Sequence, residues 1–318
     1  MFSTQIDIPH STVEITYNDR ILTLGSCFAE NIGTKLQEAC FLTFINPFGV
    51  MYNPMSVAQG IRHLLSEKEF TAADLFQSGS LWNSLAHSST FSAVTADDAL
   101  QKINSRLQAA RYFLHETNVM MITLGTAWVF ELVENWKIVS NCHKLPASRF
   151  TRRRLSVDEI INEFTEVFGL LRNSYPGLKF IFTVSPIRHW KDCAHENTVS
   201  KSTLHLAVDV LEKQFDFVHY FPAYEIMMDE LRDYRFYASD MLHPSDVAVD
   251  YIWQRFGDTY FSSETLNLKK ELERLRADLN HRPLHPETEE YRLFQLSVEK
   301  KKNGLMQHYP FLKERFMV

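Results

Sequence analysis

Short apolar runs of strand length alternate along the chain with segments in which apolar residues recur at every third or fourth position. The apolar runs predict five strands, at residues 21–24, 41–45, 119–124, 179–184 and 215–221. After the first of them, Phe28, Ile32, Leu36 and Cys40 form one face of a helix. Alternation of strand and helix is typical of βαβ units. The pattern therefore predicts an α/β fold with a small, doubly wound parallel sheet.

Polar residues and one proline predict where three of the helices begin. Ser156 with Glu159, and Thr95 with Asp98, have the spacing of a capping box, in which two side chains each bind the other residue's backbone N–H. Pro244 suits a first helical turn, because its φ is already helical and its missing N–H needs no partner there. Helices are therefore expected to start close to residues 95, 156 and 244.

Two regions do not follow the strand and helix repeat. Residues 50–116 are too many for one crossover and contain two helical patterns, so we expect a helical insertion there. From residue 261 to residue 318 the chain is rich in Leu, Glu, Lys and Arg, with helical patterns at residues 266–279 and 287–302. We therefore expect one domain at residues 1–260, which includes the insertion, and a helical C-terminal extension at residues 261–318.

Composition and charge exclude several classes of protein. Of the 318 residues 45% are hydrophobic, which supplies a sizeable core and excludes intrinsic disorder. The net charge of -6 lacks the basic excess that binds nucleic acids or anionic membranes. No run approaches the roughly 20 apolar residues of a membrane span, and the first residues lack the features of a secretory signal. We therefore expect a cytoplasmic protein with no membrane span and no nucleic-acid partner.

The turn after the first predicted strand carries two candidate nucleophiles. Ligands bind outside the carboxyl ends of the strands in an open parallel sheet, and at this end the chain reads Gly25-Ser26-Cys27. The helix that follows presents free N–H groups and a positive end, which lower a thiol pKa and can stabilise an oxyanion. The alternative is that Cys27 is a small buried side chain and Ser26 a helix cap.

An Asp and a His three residues apart follow the fifth predicted strand. Asp240 can accept the Nδ1 proton of His243 within one loop and leave Nε2 facing a nucleophile. The spacing alone is weak evidence, because Asp192 and His195 share it. Position separates the pairs, since one follows the last strand and the candidate nucleophiles follow the first. We therefore predict that Asp240 and His243 are the working pair.

Several motifs make the chain resemble a known family. Residues 25–29 read GSCFA, and with the later Asp and His they make the chain similar to the GSCFA-domain family, which resembles the SGNH/GDSL hydrolases. The likeness covers residues 15–258 and includes segments at 46–49, 123–126, 141–144, 185–189, 197–201 and 239–244. It implies a flavodoxin-like, three-layer α/β/α sandwich and Ser-His-Asp-type acyl chemistry, commonly on carbohydrates or lipids. No cofactor is required.

The resemblance also implies roles for the candidate catalytic residues. Lining the superfamily's Gly-Asp-Ser turn against this chain places Cys27 at the nucleophile position and Ser26 where Asp is usual. Ser26 is therefore the alternative nucleophile. His243 is expected to act as general base and then acid, with Asp240 orienting it. A thiol nucleophile would favour acyl transfer, because a thioester intermediate exchanges readily with other nucleophiles.

The oxyanion hole departs from the superfamily pattern. Gly49 matches the oxyanion-hole glycine, and its N–H is expected to be available and to stabilise the oxyanion together with the N–H of Cys27. The superfamily's Gly-x-Asn is Gly125-Thr126-Ala127 here, so the amide donor is missing and Thr126, Asn141 or His143 must replace it. His189 follows the fourth predicted strand and is a further candidate for contact with the ligand.

Two other functions remain open. One is a non-catalytic carbohydrate-binding protein on the same fold. The other is a zinc hydrolase that uses Cys142, His143, Cys193 and His195. The irregular spacing of the four cysteines fits neither a zinc module nor a disulfide framework, so we predict no bound metal. The expected partner is a small-molecule or glycan acyl substrate, and the oligomeric state is not indicated.

Overall fold

The computed structural model describes residues 4–315 and contains a five-stranded parallel sheet between two helical layers. The strands in chain order are β1 (Arg20–Gly25), β2 (Leu42–Ile45), β3 (Phe76–Ser78), β4 (Leu81–Asn83), β5 (Val119–Leu124), β6 (Trp128–Leu132), β7 (Ile138–Val139), β8 (Phe150–Arg154), β9 (Lys179–Val184) and β10 (Val218–Tyr220). The central sheet has the order β2-β1-β5-β9-β10, and each neighbouring pair is parallel. This is the flavodoxin-like order, so the fold class is confirmed.

The helices in chain order are α1 (Cys27–Glu38), α2 (Pro54–Leu65), α3 (Ala96–Leu114), α4 (Val157–Ser174), α5 (Cys193–Gln214), α6 (Ala223–Glu225), α7 (Asp246–Tyr260), α8 (Ser263–Leu279), α9 (Glu289–His308) and α10 (Leu312–Arg315). Buried residues of α2 to α5 pack on one face of the sheet. Those of α1 and α6 to α10 pack on the other. Successive strand residues divide between the two cores, as Met121 and Ile122 do, because side chains alternate along a strand.

The expected helix starts are only partly confirmed. Ser156 and Glu159 form the reciprocal capping box in front of α4. Thr95 accepts the Asp98 N–H, but the Asp98 carboxylate accepts the Thr95 hydroxyl rather than a backbone N–H, so that box is incomplete. Pro244 lies outside α7, whose N-cap is Ser245. Its expected place in the first turn is wrong, because the Ser245 side chain supplies a stronger helix start one residue later.

A second, antiparallel sheet follows β5, and the sequence pattern did not predict its strands. It has the order β7-β6-β8, with Trp128 opposite Arg154 and Phe130 opposite Arg152. The three strands are short: β7 has two residues, and three of the five residues of β8 are Arg. Their pattern of apolar residues is therefore too weak to predict strands. This sheet matters for function because it stands at the carboxyl end of β5.

The last helices pack on the domain rather than apart from it. Leu272 and Leu275 of α8 and Leu305 of α9 join the same core as Phe28 of α1.

A second antiparallel pair, β3 and β4, lies within the insertion between α2 and α3. Over residues 4–315, no helix combines the length and the apolarity needed to cross a membrane.

Candidate active site

The turn that begins the site requires a glycine. Gly25 ends β1 with a φ of +134°, and a Cβ there would lie 2.1 Å from the carbonyl oxygen of Thr123 on β5. The Gly25 N–H donates to Asn46 Oδ1 at 2.9 Å, and the Ser26 N–H donates to the Thr123 oxygen at 3.1 Å. These bonds hold the turn against the ends of the adjacent strands β1 and β5, whose following helices α1 and α4 pack on opposite faces of the sheet. Ligands of this fold bind at that position.

Both candidate nucleophiles line one cavity of about 800 Å³ at the carboxyl ends of the strands. Ser26 is the N-cap residue of α1, but its side chain makes no capping bond, is 1% exposed, and its Oγ has no partner. Cys27 is the first residue of α1 and is half-buried. Of the two, the Cys27 side chain is the more accessible from the cavity.

The expectation that the helix N-terminus lowers the Cys27 pKa is wrong. Burial raises the pKa of the Cys27 thiol above its ordinary value. Glu30 raises it further, while the N–H groups of Cys27 and Phe28, together with Lys201, oppose this only in part. Desolvation of the thiolate outweighs the helix end because the helix supplies only partial charges. Cys27 is therefore a thiol at neutral pH and needs a base.

Asp240 and His243 form the hydrogen bond that their spacing predicts. His243 Nδ1 lies 2.5 Å from Asp240 Oδ2, and Asp240 Oδ1 accepts the N–H groups of Leu242 and His243. These backbone N–H groups and the His243 side chain lower the pKa of Asp240 to about 2. His243 lines the cavity with about half of its side chain exposed, at 49%. It makes no hydrogen bond to Cys27, although the two residues line the same cavity.

One of the two predicted backbone donors of the oxyanion hole, the Gly49 N–H, is already occupied, whereas the Cys27 N–H has no backbone partner within residues 4–315. The Gly49 N–H donates to the Asn46 oxygen at 2.9 Å, and Gly49 lies in a separate depression outside this cavity. The N–H groups of Gly125 and Thr126 both donate to the Tyr52 oxygen, at 2.8 and 2.9 Å. The expectation that the Gly49 N–H is available is therefore wrong. These three N–H groups instead brace the loops that end β2 and β5.

Val50 offers a backbone donor that the sequence did not indicate. It follows Gly49, lines the cavity, and its N–H has no hydrogen-bond partner within residues 4–315. Thr126 also lines the cavity, but its hydroxyl shares a 3.0 Å bond with Ser200 and accepts the Trp128 N–H. Of the Val50 N–H and the Thr126 hydroxyl, the Val50 N–H is therefore the one without a partner among the described residues.

Asn141 and His143 have different surroundings. Asn141 lines the cavity, and its Oδ1 accepts the His143 N–H at 2.9 Å. His143 does not line the cavity. Its Nε2 lies 2.8 Å from the Ser84 oxygen and 3.1 Å from the His87 oxygen. Burial lowers the pKa of His143. The proposed role of His143 as an oxyanion donor is therefore wrong, because its ring is engaged by a neighbouring loop.

His189 lies in the cavity wall with an unpartnered nitrogen. Its Nε2 is buried without a hydrogen bond, and its ring packs edge-on against Tyr52 with 5.7 Å between centroids. Burial lowers the pKa of His189 to about 4, and Lys201, His243 and Arg152 lower it further. The imidazole is therefore neutral at pH 7, where it can donate one hydrogen bond and accept another.

A buried lysine ties two strand ends together beneath the cavity. Lys201 of α5 is 2% exposed, and its Nζ donates to the carbonyl oxygens of Gly125 and Ser185, both at 2.7 Å. Burial lowers the pKa of Lys201 to about 7, with Cys27 raising it and Arg188 lowering it. This lysine therefore lies close enough to Cys27 to influence its charge.

The position of Lys201 on an apolar helical face is a signal in the sequence that could have identified it as a buried residue. Position 201 lies three, seven and ten residues before Leu204, Val208 and Leu211, on the buried face of α5. A lysine on a buried, apolar helical face needs hydrogen-bond partners, because burying an unpaired charged group costs free energy. Here the strand-end carbonyl groups are its partners.

The second sheet supplies an aromatic and cationic wall. Trp128 and Phe130 of β6 line the cavity, and the Arg152 guanidinium stacks over them at 4.5 and 5.2 Å. Lys191 lies 5.0 Å from the Phe130 ring. Burial leaves the Trp128 Nε1 without a partner. The wall therefore offers ring faces and positive charge to any ligand that reaches Cys27.

The four residues of the zinc hypothesis do not form a cluster. Within the part of the chain that the structure describes, no three His, Cys, Asp or Glu side chains converge as metal ligands. Cys142 lines the cavity, whereas the His143 ring binds loop carbonyl groups and Cys193 is exposed. The structure therefore offers no geometric support for a zinc centre at these residues.

Comparison with solved structures gives remote similarities. A candidate platelet activating factor from Streptococcus pneumonia is 12% identical, with 77% of this chain and 85% of that chain covered and a TM-score of 0.37. An acetyl xylan esterase from the rumen bacterium Butyrivibrio proteoclasticus is 13% identical, with 77% and 66% covered and a TM-score of 0.36. Similarity at this level carries no argument about activity. A comparison with curated proteins finds no match.

Comparison with protein families gives a match over most of the chain. Residues 20–256, from the first residue of β1 into α7, match the GSCFA family. Residues 264–315, which contain most of α8 and all of α9 and α10, match the GSCFA domain protein, C-terminal domain. The chain therefore belongs to the GSCFA family.

Proposed function

We propose that the protein is an SGNH-type esterase or acyltransferase that acts on an ester-like acyl bond through a covalent intermediate. The observation that carries the proposal is that Cys27, at the start of α1, and His243 line one cavity, and that Asp240 is hydrogen-bonded to His243. That cavity lies at the carboxyl ends of the adjacent strands β1 and β5, whose following helices pack on opposite faces of the sheet, and this is the usual ligand site of this sheet order. The substrate class, a small acyl compound or an acylated carbohydrate, is part of the proposal.

The reaction has two steps. Cys27 Sγ attacks the acyl carbon while its proton passes to His243 Nε2, and Asp240 stabilises the imidazolium through Nδ1. The tetrahedral intermediate then collapses, the His243 proton goes to the leaving oxygen, and a thioester forms on Cys27. Water or an acceptor hydroxyl attacks the thioester and loses its proton to His243, which restores the thiol. Hydrolysis and acyl transfer differ only in which hydroxyl attacks.

The surroundings of Cys27 explain why a base is needed. Because burial raises the pKa of the Cys27 thiol, little thiolate exists before substrate binds, and the proton must leave during attack. Cys27 and His243 are not hydrogen-bonded in the absence of substrate, and catalytic hydrogen bonds often tighten only in the substrate complex. In this proposal the Val50 N–H and the neutral His189 ring bind the oxyanion in place of Gly49.

The experiment compares two variants with wild-type protein on 4-nitrophenyl acetate. Cys27→Ala is expected to lower kcat/KM by about 10³-fold or more, because it removes the nucleophile, whereas Ser26→Ala retains most of the activity. Wild-type protein quenched during turnover should carry one acetyl group on the Cys27 peptide, and neutral hydroxylamine should remove it as a thioester. If Cys27→Ala stays active and Ser26→Ala does not, the nucleophile is Ser26.

A non-catalytic carbohydrate-binding protein is the second candidate. Two observations favour it: the Gly49, Gly125 and Thr126 N–H groups are occupied, and Cys27 has no bond to His243. The ring faces of Trp128 and Phe130 suit a sugar. Under this alternative wild-type protein turns over no ester, but it binds a glycan that a Trp128→Ala variant does not bind.

A further inference from the structure

One half-buried cation of the cavity wall has no counter-charge among residues 4–315. Arg188 follows β9, lines the cavity and is half-buried, yet its guanidinium makes no hydrogen bond or ion pair with residues 4–315. A guanidinium carries five N–H donors, and leaving a buried charge unpaired is costly. Lys201 lies near enough that Arg188 lowers the pKa of that lysine. Arg188 thus lies near a second basic side chain, and the strand-end carbonyl groups there are already bonded to Lys201.

The other charges around the cavity do not neutralise Arg188. Of the described residues that line it, Lys144, Arg152, Arg188 and Lys191 are cationic and Asp192 is the carboxylate. Asp192 is already ion-paired with Arg152. The nearby Asp240 is hydrogen-bonded to His243. The wall therefore keeps an excess of positive charge beside Cys27, although the chain as a whole carries a net charge of -6.

The cationic part of the wall is also its aromatic part. Lys191 lies over Phe130, Arg152 lies over Trp128, and Trp190 separates His189 from Lys191 in the chain. Phe150 completes this surface. An inorganic anion alone would contact the cationic side chains and leave the rest of this aromatic surface without a partner. The composition of the wall instead fits an organic group with an attached anion, and the same cavity contains the candidate nucleophile.

We infer that the substrate carries an anionic group, a phosphate or a carboxylate, which Arg188 binds while the rest of the molecule covers the rings of the second sheet. Guanidinium binds both anions through two parallel N–H bonds, which explains an Arg rather than a Lys at this position. The acyl step rests on the proposed function, whereas anion binding does not. The inference therefore has a binding test and a kinetic test.

The binding test uses isothermal titration calorimetry of the full chain with phenyl phosphate, benzoate and benzyl alcohol. These probes share a ring and differ in charge. At least one anionic probe is expected to bind about 10- to 100-fold more tightly than benzyl alcohol, the range for hydrogen bonds to a charged group. Arg188→Gln should abolish this difference, and Lys191→Gln, at an exposed position, should reduce it without affecting folding. Arg274→Gln removes the same charge from an exposed site outside the cavity and should leave binding unchanged.

Each outcome of the binding test either identifies the anionic group or overturns the inference. Tighter binding of phenyl phosphate assigns the group as a phosphate, and tighter binding of benzoate assigns it as a carboxylate. If neither anion binds more tightly than benzyl alcohol, the inference is overturned. It is equally overturned if Arg188→Gln, with a circular dichroism spectrum like that of wild type, retains the preference for the anion. If that variant does not fold, full retention of the preference in Lys191→Gln overturns the inference instead.

The kinetic test compares 4-acetoxybenzoate with its neutral methyl ester. The anionic ester is expected to have a kcat/KM about 10-fold higher in wild type, and Arg188→Gln should equalise the two esters. Equal rates in wild type would overturn the link between the anion site and catalysis. If neither ester nor 4-nitrophenyl acetate is hydrolysed while anion binding still depends on Arg188, the proposed function fails and the anion site stands.

Discussion

Two segments of this protein have the same Asp-x-x-His spacing and opposite structures. In the loop at residues 240–243, both side chains are about half exposed and hydrogen-bonded to each other. At residues 192–195, Asp192 is 8% exposed and ion-paired with Arg152, while His195 is exposed. One carboxylate holds an imidazole and the other holds a cation of the cavity wall.

Backbone conformation explains the difference. Met241 has a φ of +58° and folds the first segment into a turn, so that Asp240 accepts two N–H groups and the His243 ring at once. In the second segment Cys193 has a φ of +57° and α5 starts there, so His195 lies in the first helical turn. Identical spacing therefore produces a hydrogen-bonded pair only where the chain remains a loop.

The largest expected effect tests this contrast by activity. His243→Ala should lower kcat/KM for 4-nitrophenyl acetate by about 10³-fold, because it removes the proposed general base. His195→Ala, with the same change at the exposed His of the other segment, should remain within about twofold of wild type. A loss in His195→Ala with little change in His243→Ala would reverse the assignment of the two pairs.

The next largest effect is on the free energy of unfolding. Here the segment at residues 192–195 should matter more than the loop at residues 240–243. Asp192→Asn leaves the half-buried Arg152 without its ion pair and is expected to lower the free energy of unfolding by about 2 to 3 kcal/mol in urea titrations. Asp240→Asn should leave the urea midpoint almost unchanged, because its partner is exposed. Asp229→Asn, at an ion pair with exposed Arg232, serves as a surface control. A greater loss in Asp240→Asn than in Asp192→Asn would contradict the comparison.

A smaller effect, spread over several pH units, concerns Lys201 on the helix that the second segment begins. Burial lowers the pKa of Lys201 from 10.5 to about 7, so the unfolded chain binds more protons between these two pH values. The free energy of unfolding contributed by Lys201 should therefore rise with pH in this window, by about 1 kcal/mol per pH unit, whereas below pH 7 the burial penalty is fully present.

Urea titrations at pH 7, 8 and 9 measure this slope in wild type and in Lys201→Met. The slope should be less positive in Lys201→Met, since methionine does not titrate. Lys213→Met removes an exposed lysine of the same helix and should keep the wild-type slope. Equal slopes in wild type and Lys201→Met would mean that Lys201 keeps an ordinary pKa.

The smallest effect compares the cysteines of the two regions. Cys193 lies in the second segment and is exposed, whereas Cys27 is half-buried with a raised pKa. Iodoacetamide at pH 7.5 should therefore label Cys193 a few-fold faster than Cys27, and the pH midpoint for Cys27 should lie above that of an ordinary thiol. Peptide mass spectrometry measures both rates. Faster labelling of Cys27 than of Cys193 would instead support the sequence-based prediction that the helix N-terminus lowers the pKa of the Cys27 thiol.

Much of the fold follows from local patterns in the sequence. The apolar runs that became β1, β5 and β9 are unmistakable because helices cover both faces of a central parallel strand, which makes nearly every residue apolar. Asp240 and His243 were also readable, since their bond closes within four residues. The capping box at Ser156 is local in the same way. Where the interacting groups are neighbours in the chain, the sequence alone determines the outcome.

What only the tertiary structure decided depends on groups that are distant in the chain. The N–H groups of Gly125 and Thr126 are occupied by the carbonyl group of Tyr52, which belongs to the loop before α2. The short strands of the second sheet bring Arg152 to Asp192, 40 residues away. The raised pKa of Cys27 likewise comes from burial. No local pattern reports such partners, because hydrogen-bond occupancy and desolvation are set by whichever segments pack together in space.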